Sequence, residues 1–169
     1  MRARGFTLVE LLVTISIISV LGAIVLTSLN SAKDSAYYGR AKLEFRNIAT
    51  ALELYKDSNG GQYPADAARD VAPTGLSQYI AGYSGSDWPK GPWPGSFYDW
   101  DNWTISGEKV YQISIRFCPA GGNLSTCRFP KASWASSFDI DSSVYYCISG
   151  SCRAHESQPV TYPGLCVNC

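Results

Sequence analysis

From Leu11 to Leu29 the chain carries no charged residue, and the one charge at the start of this apolar run is Glu10. A helix of that length rises roughly 28 Å, close to the thickness of a hydrocarbon core, so it is long enough to span a bilayer. A carboxylate at that depth costs about 2.5 to 3.5 kcal/mol on insertion scales and therefore calls for a partner. Arg2 and Arg4 precede the run and the next charge is Lys33. By the positive-inside rule the extreme N-terminus stays cytoplasmic and everything after about Ser31 is exported.

A secretory signal peptide or a plain signal anchor is the simplest alternative. Its apolar core would be about 7 to 15 residues long and would be followed by an A-x-A-like cleavage site. Here the run is longer and no such site follows it. The small residue at the basic stub is Gly5, which lies before the run, where ordinary signal peptides are not cut.

The segment Gly5-Phe6-Thr7-Leu8-Val9-Glu10 and the apolar run behind it resemble the N-terminus of type IV pilins and of the pseudopilins of type II secretion. Precursors in that family share a short basic leader, a Gly, Phe-Thr-Leu-x-Glu and an apolar helix. The likeness covers Arg4 to about Leu29 and fixes residue type and spacing together. It implies that a membrane prepilin peptidase cuts between Gly5 and Phe6 and methylates the new amine of Phe6. It also implies that Glu10 lies near the terminal amine of a neighbouring copy. An ammonium and a carboxylate are each disfavoured alone in lipid, so pairing them between subunits relieves both and rewards assembly in register. The implied partners are copies of this chain in a helical filament, the peptidase, an assembly platform and motor, and membrane lipid before assembly.

Many relatives carry a proline about sixteen residues beyond the acid, whereas the first proline here is Pro64. Only Gly22 and Gly39 weaken the helix, each by about 1 kcal/mol relative to Ala. A continuous helix is expected. Beyond the membrane, Ala41, Phe45, Ile48, Leu52 and Tyr55 recur at spacings of three and four, with Lys42, Arg46, Glu53 and Lys56 elsewhere, a stripe that packs on a sheet. Asp57-Ser58-Asn59-Gly60-Gly61 ends it. The organisation is then a leader over 1–5, a membrane and filament-core helix over 6–30, its amphipathic continuation over 31–58 and a globular head over 59–169. The expected fold is α+β and pilin-like: a long N-terminal helix whose second half packs on a small antiparallel sheet in a disulfide-stapled head.

Within the head, Pro73 to Ile80 reads as a short helical turn or an ordered loop, and Trp88 to Gly95 is too rich in breakers for regular structure. In Lys109 to Phe117, Tyr111, Ile113, Ile115 and Phe117 alternate with Gln112, Ser114 and Arg116, the period of a half-buried strand. Ser143 to Cys152 suggests a hairpin turning at Ser149-Gly150, with Cys147 facing Cys152 at a Cα separation of about 4.5 Å, inside disulfide range.

The six cysteines, Cys118, Cys127, Cys147, Cys152, Cys166 and Cys169, all lie in the exported half. An even number there reads as a disulfide framework, and proximity pairs Cys118 with Cys127, Cys147 with Cys152, and Cys166 with Cys169. Cys166-x2-Cys169 has zinc-ligand spacing and His155 is available, but a second half-site is missing, so no metal is assigned. His155 otherwise reads as a surface histidine with no recognisable nucleophile elbow.

The pairs Asp99 with Asp101 and Asp139 with Asp141 read as loop aspartates in caps and turns rather than as acid–base pairs. Calcium is a second reading for Asp99, Asp101 and Asn102, since hard oxygen ligands suit that ion and the resembled secretion pseudopilins carry a calcium loop in a similar region. Trp88, Trp93, Trp100, Trp103 and Trp134 read as core plates, with a partner or carbohydrate surface as the rival. From Asn59 onward there are seven Lys or Arg and nine Asp or Glu, so no basic field recruits nucleic acid.

The expectation is a non-enzymatic structural subunit of a type IV pilus-like extracellular filament, membrane-anchored before assembly and at the cell surface afterwards. A pseudopilin of a secretion or competence system is the alternative. A membrane-anchored exported binding protein acting as a monomer is the reading from another class.

Overall fold

In the computed structural model, residues 6–83 and 87–169 are described, apart from the side chains of Leu26 and Thr27; the leader, Gly5 included, lies outside them. One helix, α1, runs from Leu8 to Ser58 over 51 residues. It passes through Gly22 and Gly39 as regular helix, as the lack of proline predicts. Asn59 ends it, its N–H bonding to the Lys56 carbonyl, and Gly60 and Gly61 follow at φ of 66° and 81°, which glycine adopts without steric cost.

The head is a four-stranded sheet in the order β1 (Phe97–Ile105), β2 (Glu108–Arg116), β3 (Ser143–Ser149), β4 (Leu165–Cys166). The first two pairings are antiparallel, and the two-residue β4 adds parallel to β3. The second half of α1 lies across one face. Ala41, Phe45, Ile48 and Leu52 are all at most 1% exposed. They share a core with Tyr98, Trp100, Ile113, Ile115, Phe117 and Val144. The stripe read from the sequence is therefore the face that packs. Of the five tryptophans, Trp88, Trp93, Trp100 and Trp103 are buried and Trp134 is half-buried, which places them in the core.

Three sequence expectations are corrected. Residues 97–105 form a nine-residue strand, β1, where only loop had been read around Asp99 and Asp101. The polar side of β2 does not face water: Gln112 and Ser114 are fully buried and Arg116 is 3% exposed. The segment at Arg153 and Ala154 covers that face. Gln112 reaches the Arg153 carbonyl at 2.8 Å, and Ser143 reaches the Ala154 carbonyl at 2.9 Å.

Thirdly, Gly150 to Cys152 is a bend, so Cys152 sits on no partner strand. The Cys147–Cys152 disulfide still closes, at a Cα separation of 5.6 Å. Gly150 has φ of 88°, and a Cβ there would stand 2.3 Å from the Lys109 carbonyl oxygen. Gly150→Ala is accordingly expected to cost about 1–3 kcal/mol from backbone strain and the forced shift of β2, read as a lowered denaturation midpoint.

Candidate assembly site

The start of α1 is set by Thr7, which lies in extended backbone and caps the helix. The Thr7 hydroxyl accepts from the Glu10 N–H at 3.3 Å, and the Glu10 carboxylate accepts from the Thr7 N–H at 2.9 Å and from its hydroxyl at 2.8 Å. This reciprocal capping box satisfies two of the orphan donors at a helix start. It went unread in the sequence, although Thr-x-x-Glu is its signature. Glu10 thus has a structural role in the single chain. Both of its recorded bonds to Thr7 use the same oxygen, Oε2.

Behind it, the apolar residues lie open on the isolated chain: Phe6 is 81% exposed, and the large apolar side chains from Leu8 to Val25, with Leu29, are exposed as well. Three hydroxyls in this run are folded back into the helix. Thr14 donates to the Leu11 carbonyl at 2.8 Å, Ser16 to Leu12 at 2.8 Å and Ser19 to Ile15 at 2.7 Å. A surface that bonds its own polar groups and exposes only hydrocarbon suits lipid or the flanks of other helices, and not water. By length and composition α1 can cross a membrane, with a mean hydropathy of 2.5 over its most apolar 18 residues.

In the head, the cysteines form Cys118–Cys127, Cys147–Cys152 and Cys166–Cys169, with no free cysteine. The zinc alternative at Cys166 and Cys169 thereby loses its thiolates.

Asp99 and Asp101 occupy one face of β1, and their carboxylates meet Arg116 of β2 at 3.2 Å and 3.5 Å. Asp101 also accepts from Gln112 at 2.9 Å and Ser114 at 2.8 Å. Asn102, one residue on, faces the other way, where its amide donates to the Pro64 carbonyl at 2.7 Å. The three oxygen-bearing side chains named for calcium therefore do not converge.

Asp139 instead behaves as a turn residue, accepting from the Asp141 N–H at 3.2 Å and from the Tyr162 hydroxyl. His155 is partly exposed. Its Nδ1 lies 3.0 Å from the Ser157 hydroxyl and also accepts from the Ser157 N–H at 3.3 Å, while Asp141 stands 3.9 Å from Nε2. The serine is two residues away in the same turn and the carboxylate is beyond hydrogen-bond reach, which describes a local turn rather than an activated nucleophile.

Burial pushes the Asp99 carboxyl up to about 7, with the neighbouring Asp101 charge adding to the effect and Arg116 opposing it. One buried guanidinium balances one carboxylate, and the second holds its proton more tightly in the folded chain than in the unfolded one. The stabilisation from this group is complete below about pH 4 and is lost as pH rises through about 7, at no more than about 1.4 kcal/mol per pH unit. Denaturation midpoints are expected to fall on going from pH 5 to pH 7.5, and Asp99→Asn to flatten that slope.

The prokaryotic N-terminal methylation motif matches residues 1–26. The type II secretion system core protein G of Pectobacterium carotovorum is 38% identical over 64 residues, covering 38% of this chain and 40% of the relative. That of Pseudomonas aeruginosa is 34% identical over 89 residues, covering 53% of this chain and 58% of the relative. The chain thus spans about half the length of these curated relatives, and the matched length exceeds the motif. No solved structure matches the chain. Capping box, bare apolar helix and motif coincide on the same residues, and through them the chain carries the N-terminal methylation signature of the type IV pilin and type II secretion pseudopilin family.

Proposed function

We propose that the chain is a non-enzymatic structural subunit of a type IV pilus-like filament, stored in the membrane by residues 8–29 and polymerised through α1. The observation that carries this reading is a single acid, Glu10, at the head of an apolar helix whose described side chains from Leu8 to Leu29 are uncovered in the lone chain. Lipid or neighbouring helices must cover that surface, and the terminal ammonium of a neighbouring copy offers the carboxylate a cation. On this reading prepilin peptidase cuts between Gly5 and Phe6 and methylates Phe6. An assembly platform and motor then extract the subunit, and the head is carried outside the cytoplasmic membrane. Because stacked copies make a head-to-tail contact that does not close, the product is a filament.

Between a surface pilus and a secretion pseudopilus, the similarity to core protein G favours the pseudopilus. The continuous, proline-free helix has no bearing on that choice. The test is mass spectrometry of the mature N-terminus. A chain beginning at methylated Phe6 supports the reading, and an intact leader overturns it in favour of a monomeric anchored exoprotein. Sheared surface fibres seen by electron microscopy would then separate pilus from pseudopilus.

A further inference from the structure

We propose that the end of the head nearest the apolar helix is a docking surface for anionic phospholipid headgroups, formed by Lys33 and Lys42 of α1 and by Arg128 and Lys131 of the loop after the Cys118–Cys127 disulfide. The inference rests on the membrane placement of residues 8–29 proposed above.

The loop reaches back to the foot of the head. A cleft of about 220 Å³ has Asn30, Lys33 and Asp34 on its helix side and Arg128 and Lys131 opposite. A neighbouring cleft of about 720 Å³ sets Asn30 and Lys42 against Lys131 and Trp134. Asn30 directly follows Leu29, the last large apolar residue of the run. Lys131, a hundred positions further along the chain, therefore stands at the level of the first helical turn outside the hydrocarbon.

The charges at this level are unbalanced. Lys33, Arg128 and Lys131 are exposed, and among the described residues none has an acid within ion-pair distance. Lys42 lies over the Tyr38 ring at 4.8 Å instead of on a carboxylate. Asp34 is the single acid lining either cleft. The head as a whole leans the other way, with nine acids against seven bases from Asn59 onward. Lys33, Lys42, Arg128 and Lys131 thus outnumber the one acid, Asp34, along the two clefts at the end that the helix holds against the bilayer.

Aromatic rings share that level. Tyr38 packs on Trp134 at 5.9 Å and Tyr37 on Trp93 at 6.3 Å, and the two tyrosines and Trp134 are half-buried. Amphipathic rings beneath flexible cations are the arrangement that favours a headgroup layer, where the stems pack on rings and the charges meet phosphodiesters. Continuity with the span selects lipid over a soluble acidic partner, since headgroups lie within reach throughout storage. The contact would hold the head upright on the membrane and add a lipid-dependent resistance to extraction.

The test reconstitutes the full-length chain in phosphatidylcholine vesicles and in vesicles containing phosphatidylglycerol, and reads amide hydrogen exchange over residues 8–29 and 128–136. At low salt the loop is expected to exchange at least about fivefold more slowly on the anionic vesicles. Molar salt, or Lys33→Gln, Arg128→Gln and Lys131→Gln together, is expected to abolish the difference. The salt arm uses the unaltered chain, so the result does not hinge on folding of the variant. Equal exchange of the loop on both lipids, with residues 8–29 protected, overturns the docking surface and leaves the membrane placement standing. Free exchange of residues 8–29 on both overturns the placement and the surface with it.

Discussion

Glu10→Leu is expected to lower filament yield by more than about tenfold while the membrane-held monomer accumulates at near-normal level. Leucine removes the roughly 2.5–3.5 kcal/mol penalty of a carboxylate in the apolar layer, so the stored monomer gains. On the pairing proposed above, the assembled state loses the contact that sets register and leaves each neighbouring terminal ammonium buried without its counter-charge, a loss on the order of 3–5 kcal/mol when one partner of a buried pair is removed. The equilibrium is pushed against polymer from both sides.

The substitution also breaks the capping box with Thr7, and Thr7→Ala separates the two roles. It should cost about 1 kcal/mol at the helix start and leave most of the filament yield intact. Quantifying sheared fibres and membrane-bound monomer for both variants checks this. Normal fibres from the Glu10→Leu chain would sink the pairing idea.

The second large effect belongs to the head. Arg116→Ala is expected to destabilise it by about 3–5 kcal/mol, because two carboxylates are then left facing one another in a buried place. Arg116 is 3% exposed, pairs with both Asp99 and Asp101, and donates to the Ala154 carbonyl at 2.5 Å. It therefore also ties the covering segment to β2. Since Asp99 is pushed up to about 7, removing the cation further favours its protonated form, and the cost of Arg116→Ala should be smaller at pH 5 than at pH 7.5. Denaturation of the detergent-solubilised chain at the two pH values, monitored by near-ultraviolet circular dichroism, measures this. An Arg116→Ala cost under about 1 kcal/mol at both would show that the network is not a structural determinant.

How far each part was legible follows the range of its interactions. The long helix, its buried stripe and its end at Asn59 depend on spacing within a few turns, and the residues Ala41, Phe45, Ile48 and Leu52 carry that pattern openly. The disulfides join cysteines 9, 5 and 3 positions apart, so proximity in sequence identified the pairs. The capping box was equally local and could have been found from Thr7 and Glu10.

What escaped was β1. From Tyr98 to Asp101 both faces of β1 are buried, one in the core shared with α1 through Tyr98 and Trp100, the other through Asp99 and Asp101 on Arg116. An alternation of aromatic and acidic residues reads as a loop when water is assumed on the acidic side.

An apolar N-terminal helix with one acid, a second helical half made to pack on a sheet, and a head closed by cysteine pairs are all written locally in this chain, because periodicity, charge and short spacings are properties of neighbouring residues. It takes the folded head to make Gln112, Ser114 and Arg116 interior, to have Asp99 share a cation with Asp101, and to return the loop carrying Arg128 and Lys131 to the foot of the helix. Those outcomes depend on which distant segment covers a face. Burial turns an ordinary aspartate into a group that holds its proton near neutrality, and no local pattern encodes it.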